Sequence, residues 1–180
     1  DKAECSEIAI QYGKDYWDGD RQYGYGGYKY DGRQRATAEA MAKHYGIKPG
    51  DKILDVGVGY GGFLAQCQER GFSNLWGIEA SASRARFVKN KFGLNVSVST
   101  IEEAGGILRA EGGPPFDVIH SHQVLEHVFD INGALESIND MLKPGGRLLL
   151  FVPNSTDNYK EEGPQLKKPQ HNQSHAHKCQ

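Results

Sequence analysis

The sequence predicts a doubly wound α/β fold, a parallel sheet with helices on both faces. Three observations predict it. The stretch Lys52-Ile-Leu-Asp-Val-Gly-Val-Gly-Tyr-Gly-Gly-Phe63 carries a short apolar strand into a glycine-rich turn and then into a helical pattern. Short apolar runs then recur between helical segments, and strands separated by helices pair in parallel through crossover helices. Ligands of such sheets bind beyond the carboxyl ends of the strands, and Asp55, Glu79, Thr100 and the run Ser121 to Gln123 all fall at those ends.

The elements follow in order. Residues 1–34 hold six of the nine tyrosines, between Tyr12 and Tyr30, with Trp17, Gly24, Gly26 and Gly27 among them. Arg35 to Tyr45 reads as a helix with Ala36, Ala40, Met41 and Tyr45 on one side. Pro49-Gly50-Asp51 turns the chain into the first strand, residues 52–58, and Phe63 to Arg70 is a helix that Gly71 ends. Leu75 to Ala80 is the second strand. Ser81 caps a helix running to Phe92, and Gly93 stops it. Asn95 to Thr100 alternates as strand three, Gly112-Gly-Pro-Pro115 is a loop, and Phe116 to Ser121 is strand four. Ile131, Leu135, Ile138 and Leu142 mark an amphipathic helix, and Pro144-Gly145-Gly146 turns into strand five, Arg147 to Val152.

Composition sets bounds. A chain of 180 residues suits one principal domain with a real core. A net charge of -2 offers no electrostatic case for nucleic acid or a membrane surface. No apolar run reaches the roughly 18 residues of a membrane span, and no secretory signal is visible. Cys5, Cys67 and Cys179 are scattered and odd in number, so no disulfide framework is expected, and a cytoplasmic setting is the default.

The glycine turn carries the chemistry. Glycine is needed where a strand-to-helix turn is tight and a ligand must approach bare backbone. The helix N-terminus beyond it offers unpaired N–H groups and a positive dipole end. Gly57-x-Gly59-x-x-Gly62, with Glu79 about 20 residues on, formally satisfies the dinucleotide pattern. Asp55 argues otherwise. A carboxylate two residues before the first glycine would repel a pyrophosphate. It suits a ligand bearing an ammonium, or serves to prop the turn open, and both suit S-adenosylmethionine (SAM).

Four segments carry a family resemblance: Leu54-Asp-Val-Gly-Val-Gly-Tyr-Gly61, Trp76-Gly-Ile-Glu79, Phe116-Asp-Val-Ile-His-Ser-His-Gln-Val-Leu-Glu-His-Val128, and Met141-Leu-Lys-Pro-Gly-Gly-Arg-Leu-Leu-Leu-Phe-Val-Pro153. In this order and spacing the chain resembles the class I SAM-dependent methyltransferases, of ubiquinone or small-molecule type, over residues 45–155. The resemblance implies a Rossmann-like fold, SAM as cofactor with S-adenosylhomocysteine as product, and a small-molecule acceptor. Oxygen is the first choice of acceptor atom, with nitrogen or carbon open, and a sugar or natural-product intermediate is a candidate acceptor. Family members end with an antiparallel hairpin. Residues 154–180 are too polar to supply it, so the hairpin is expected to be missing or truncated. The alternatives are an NAD-dependent oxidoreductase, which Asp55 disfavours, and a non-catalytic SAM-binding module.

The resemblance assigns residues. Gly57, Gly59 and Gly61 cradle the cofactor with Asp55, which acts directly or through water. Glu79 takes the ribose hydroxyls, since a carboxylate accepts two hydrogen bonds from a diol. Ala80 and Ser81 flank the adenosine, and Thr100, Ile101 and Glu102 stand near the adenine. Ser121, His122 and Gln123 close strand four near the methyl donor. His122 is a candidate general base toward a hydroxyl, with Gln123 as its catalytic neighbour. Alternation puts His120 and His122 on one face and Ser121 on the other.

Gln123-Val-Leu-Glu126-His127 is similar to a Glu-x-x-Glu-His loop associated with a divalent metal. Here the first acid is Gln123, which weakens a hard-cation site. Capping of the following helix is the preferred role, and no metal is expected there or at the terminal histidines His171, His175 and His177. Residues 1–34 are read as a lid whose Tyr25 and Tyr28 cover the sulfonium through cation–π contact, residues 35–154 as the SAM-binding domain, and 155–180 as a polar, flexible tail. No nucleic-acid or membrane partner is expected. Oligomeric state is not legible.

Overall fold

A computed structural model describes residues 2–11, 15–16, 19–24, 35–113 and 115–153. The chain divides into two compact units, Lys29–Phe151 and the remainder. The larger unit contains α2 (Arg35–Tyr45), β1 (Ile53–Val56), α3 (Gly62–Glu69), β2 (Leu75–Glu79), α4 (Ala82–Phe92), β3 (Asn95–Val98), α5 (Ile101–Ala110), β4 (Phe116–His122), a 3₁₀ turn at Leu125–His127, α6 (Ile131–Met141) and β5 (Leu142–Phe151). The sheet is parallel throughout, in the order β3-β2-β1-β4-β5. Strand order therefore reverses between β1 and β4, the position at which doubly wound sheets bind their ligands.

Strand alternation sorts the core into two layers. Ile53, Val118 and Leu149 pack with Ala38 and Met41 of α2, Phe63, Leu64 and Cys67 of α3, and Ala85 and Val88 of α4. Leu54, Val56, Ile78 and Ile119 pack with Ile101, Ala104 and Leu108 of α5 and Ala134, Ile138 and Met141 of α6. β1 is buried at every residue because both its faces are covered.

The local signals that set these elements are visible. Ser81 caps α4, its hydroxyl accepting from the Arg84 amide, and Gly93 ends that helix at φ 66°. Gly77 has no room for a Cβ, which would lie 2.4 Å from a Val58 methyl. The glycine turn therefore packs directly onto β2.

Four departures from expectation have physical causes. Helix α5 was not anticipated, since Gly105-Gly106 sits at its middle and glycine disfavours helix interiors. Its packing against α6 compensates: Gly105 lies near Ser137, whose hydroxyl donates to the Ile101 carbonyl at 2.9 Å. The stripe expected on α6 is rotated. Ala134, Ile138 and Met141 are buried, while Ile131 and Leu135 are 50% and 39% exposed. Leu142 opens β5 rather than closing α6, and the ladder with β4 shifts register between Phe116 and Val118 to absorb the Pro144-Gly145-Gly146 run. Asp130, not the Gln123–His127 segment, caps α6 by accepting from the Gly133 amide at 3.0 Å.

The smaller unit contains α1 (Lys2–Ala9) and a turn in which Tyr16 is buried beneath Gly24. A Cβ on Gly24 would stand 2.3 Å from the Tyr16 ring. Cys67 is a free, buried thiol. Cys5 is disulfide-bonded, and one pair is compatible with an odd cysteine count. Tyr25, Tyr28 and residues 154–180 lie outside the described residues, with the lid, tail and hairpin expectations that fall on them. Among the described residues, no helix is long and apolar enough to cross a membrane.

Candidate cofactor and active site

The site is assembled at the carboxyl ends of β1, β2 and β4. β1 delivers Asp55 and then the turn Gly57–Gly61. Gly57, Gly59 and Gly61 all adopt positive φ, at 72°, 57° and 80°. Gly57 needs glycine twice over, because a Cβ there would also meet a Val124 methyl at 2.4 Å. Nothing lies within 4 Å of the Cβ position of Gly59, so its backbone is open to a ligand. Gly61 starts α3 with no side-chain cap, leaving first-turn amides available. Tyr60 packs edge-on against Phe87, with the Arg84 guanidinium 5.3 Å from its ring centre.

Glu79 ends β2 and is only 4% exposed. Its Oε2 accepts from the Gly59 amide at 2.7 Å and its Oε1 from the Ser81 amide at 2.9 Å. One carboxylate thus joins the glycine turn to the start of α4.

Asp55 meets a partner that the sequence did not disclose. In β1–β4 register it stands beside His120. Its Oδ1 accepts from His120 Nδ1 at 2.7 Å, with both side chains buried. The His120 ring stacks on Phe63 with centroids 3.9 Å apart. His122 lies on the same face, as alternation predicted, and is exposed. Partial desolvation and then the charge of His120 push its imidazole below the ordinary histidine value, opposed by Asp55.

Ser121 points to the opposite face. It is wholly buried, and its hydroxyl has no hydrogen-bond partner among the described residues. Gln123 is the one non-glycine residue at positive φ among the described residues, at 58°, and its amide donates to the Phe151 carbonyl at 2.8 Å. That conformation turns the chain so that Val124 reaches Gly57. Glu126 and His127 follow, both with side chains 6% exposed, and burial raises the Glu126 carboxyl above its usual range. No group of three or more metal-ligating side chains is present among the described residues.

Of the expected contacts, Asp55, Gly57, Gly59, Gly61, Glu79, Ser81, Ser121 and His122 converge on these strand ends. Ala80, Thr100 and Glu102 lie exposed around them. Ile101 is 3% exposed and belongs to the core beneath α5. His120, Phe63 and Val124 were missed. A histidine two residues before His122 was the available signal for His120, but the register that pairs it with Asp55 was not.

A glycine turn beneath an open backbone, closed by a strand-end carboxylate, defines a nucleotide-cofactor protein of the doubly wound class. A sequence family described as "Methyltransferase domain" matches residues 28–179. The chain belongs to this family, the class I SAM-dependent methyltransferases, which removes the dinucleotide alternative. It is 34% identical over 124 residues to a ubiquinone biosynthesis O-methyltransferase of Chelativorans sp. (strain BNC1), covering 64% of this chain and 48% of that protein. It is 31% identical over 115 residues to phosphoethanolamine N-methyltransferase 1 of Arabidopsis thaliana, covering 63% and 23%. Among solved structures, a SAM-dependent methyltransferase from Archaeoglobus fulgidus shares the fold with a TM-score of 0.54 at 20% identity, over 79% of this chain and 57% of that one. The chain spans less than half the length of both named sequence relatives.

The residues present suit SAM. The open backbone at Gly59 and the uncapped start of α3 leave room and donors for its amino-acid end, and Glu79 places a carboxylate, the group suited to a diol, at the end of β2 beside them.

Proposed function

We propose that this chain transfers a methyl group from SAM to a small-molecule acceptor, at oxygen in the first instance, with His122 receiving the acceptor's proton. The observation that supports this most is the state of His122. It is exposed at the carboxyl end of β4, on the same sheet face as Asp55, and its imidazole is held below the ordinary histidine value. A neutral ring at physiological pH is competent to accept a proton.

SAM supplies a sulfonium-bound methyl group open to attack by the acceptor. In this proposal Glu79 holds the ribose hydroxyls and Gly57, Gly59 and Gly61 bring backbone close to the cofactor. Asp55, Ala80, Ser81, Thr100, Glu102 and Ser121 surround it, Ile101 supports that wall from the core, and Tyr25 and Tyr28 cover the sulfonium. Gln123 holds the turn that follows His122. The chain's contribution is positioning and exclusion of water.

The ubiquinone O-methyltransferase relative favours oxygen. The phosphoethanolamine relative favours nitrogen as a second reading, in which the same base takes an ammonium proton. A sugar or natural-product hydroxyl is the acceptor class expected from the sequence. The cytoplasmic setting is part of the proposal and rests on composition.

Isothermal titration with S-adenosylhomocysteine, followed by transfer of labelled methyl from SAM across hydroxyl and amine acceptors, tests it. Binding by the wild type that is lost in Glu79→Ala, with turnover that is lost in His122→Ala, is the expected result. Binding with no turnover on any acceptor would leave a SAM-binding module. Absence of binding by folded protein would sink the enzyme reading.

A further inference from the structure

We propose that His120 is a positioning residue that fastens the histidine-bearing end of β4 to the glycine turn and fixes the ring plane of His122. The proposal builds on the reading of His122 as proton acceptor.

His120 touches an element on every side. From β1, Asp55 Oδ1 accepts from its Nδ1 at 2.7 Å, and the side chains are 6% and 4% exposed for His120 and Asp55. From α3, Phe63 stacks on the ring at 3.9 Å and 22°. Phe63 is the second residue of the helix that leaves the glycine turn, so the stack ties β4 to that turn. From β5, the Phe151 ring lies 5.8 Å away. On β4 itself, the His122 ring lies 6.4 Å away and within 11° of parallel, and Phe151 also stands 5.8 Å from His122. An imidazole held by a buried carboxylate on one edge and a phenyl on one face has a single orientation available. Rotation would leave a buried charged acceptor unpaired. His122 is stacked beyond this fixed ring and inherits its plane.

Asp55, expected from the sequence to serve the cofactor directly or through water, also holds His120 through Oδ1. The nearby ionisable groups among the described residues are few. Asp55 faces the pair from β1. Cys67 of α3 stays neutral, since burial pushes its thiol up to about 12. Phe63 and Phe151 present no charge. The His122 imidazole is pushed down first by its own desolvation and then by His120, and Asp55 opposes both.

The test is an imidazole titration by nitrogen-15 NMR on the full chain, wild type against His120→Gln. Glutamine keeps an amide donor for Asp55 but has no ring to stack and does not titrate. In the wild type, a His120 Nδ1–H signal protected from exchange is expected, and in the variant the His122 midpoint moves upward. An unchanged His122 midpoint in folded variant overturns the proposal. If the variant does not fold, the wild-type spectrum decides, since a His120 whose Nδ1 carries no protected proton is not anchored by Asp55. Calorimetry with S-adenosylhomocysteine on the same samples separates the two readings. Lack of binding would defeat the methyltransferase proposal while leaving the His122 shift to judge this one.

Discussion

The Gly59 amide donates to Glu79 Oε2 at 2.7 Å across 20 residues of sequence. The same carboxylate takes the Ser81 amide. Glu79 is therefore a strut between the glycine turn and α4 as well as the proposed ribose ligand, and its substitution should show both effects. Glu79→Ala leaves two amides without their acceptor, each costing about 1–3 kcal/mol where water cannot replace it. We expect lower stability in urea unfolding and at least a roughly tenfold loss of S-adenosylhomocysteine affinity, about 1.4 kcal/mol. Glu79→Gln should retain more stability than affinity, because one amide oxygen still accepts.

Gly57 and Gly59 share a backbone conformation but not a neighbourhood. Alanine at either adopts an unfavourable left-handed φ, costing roughly 1–2 kcal/mol. At Gly57 the added methyl also strikes Val124, with an overpacking cost of about 1–3 kcal/mol. Gly57→Ala should thus be the more destabilising by denaturant midpoint. Adding Val124→Ala should recover only the steric part. Equal loss at the two glycines would refute the assignment of Val124 as the clamp on this turn.

Two side chains at the end of β4 give opposite pH responses. The folded value of His122 lies below its ordinary 6.5, so the unfolded chain binds more protons as pH falls through that window. Stability from His122 is therefore present above about 6.5 and is lost as pH falls toward the folded value. Glu126 is raised above its ordinary 4.5, so the folded chain holds the proton longer. Its contribution is present below about 4.5 and is lost as pH rises through the folded value. Glu126→Gln should consequently gain stability relative to wild type at pH 7 and not at pH 4. Thermal unfolding at the two pH values is the check, and a gain of the same size at both would contradict it.

Ser121→Ala removes a hydroxyl that is wholly buried and unpartnered among the described residues. The substitution should be neutral or stabilising by up to about 1 kcal/mol, since desolvating an unpaired hydroxyl brings no return. A loss of more than that on unfolding would reveal a partner for the hydroxyl. Weaker S-adenosylhomocysteine binding at unchanged stability would identify the cofactor as its use.

The sequence by itself determined the class of fold and the frame of the site. Those features are written in short-range chemistry: glycines where φ must be positive, Ser81 and Gly93 at the ends of one helix, and apolar runs of strand length. Each of these is decided within a few residues of itself, so composition and spacing reveal it. Tertiary structure decided what depends on partners far along the chain. Helix α5 forms despite Gly105-Gly106 because α6 packs against it, and α6 turns Ala134 rather than Leu135 inward because α5 sets the face it meets. Asp55 and His120 lie 65 residues apart, and only the parallel register of β1 with β4 makes them a pair. Register is fixed by the burial of both sheet faces at once. No local pattern encodes that requirement, so the sequence places His120 on the His122 face and only the strand register pairs it with Asp55.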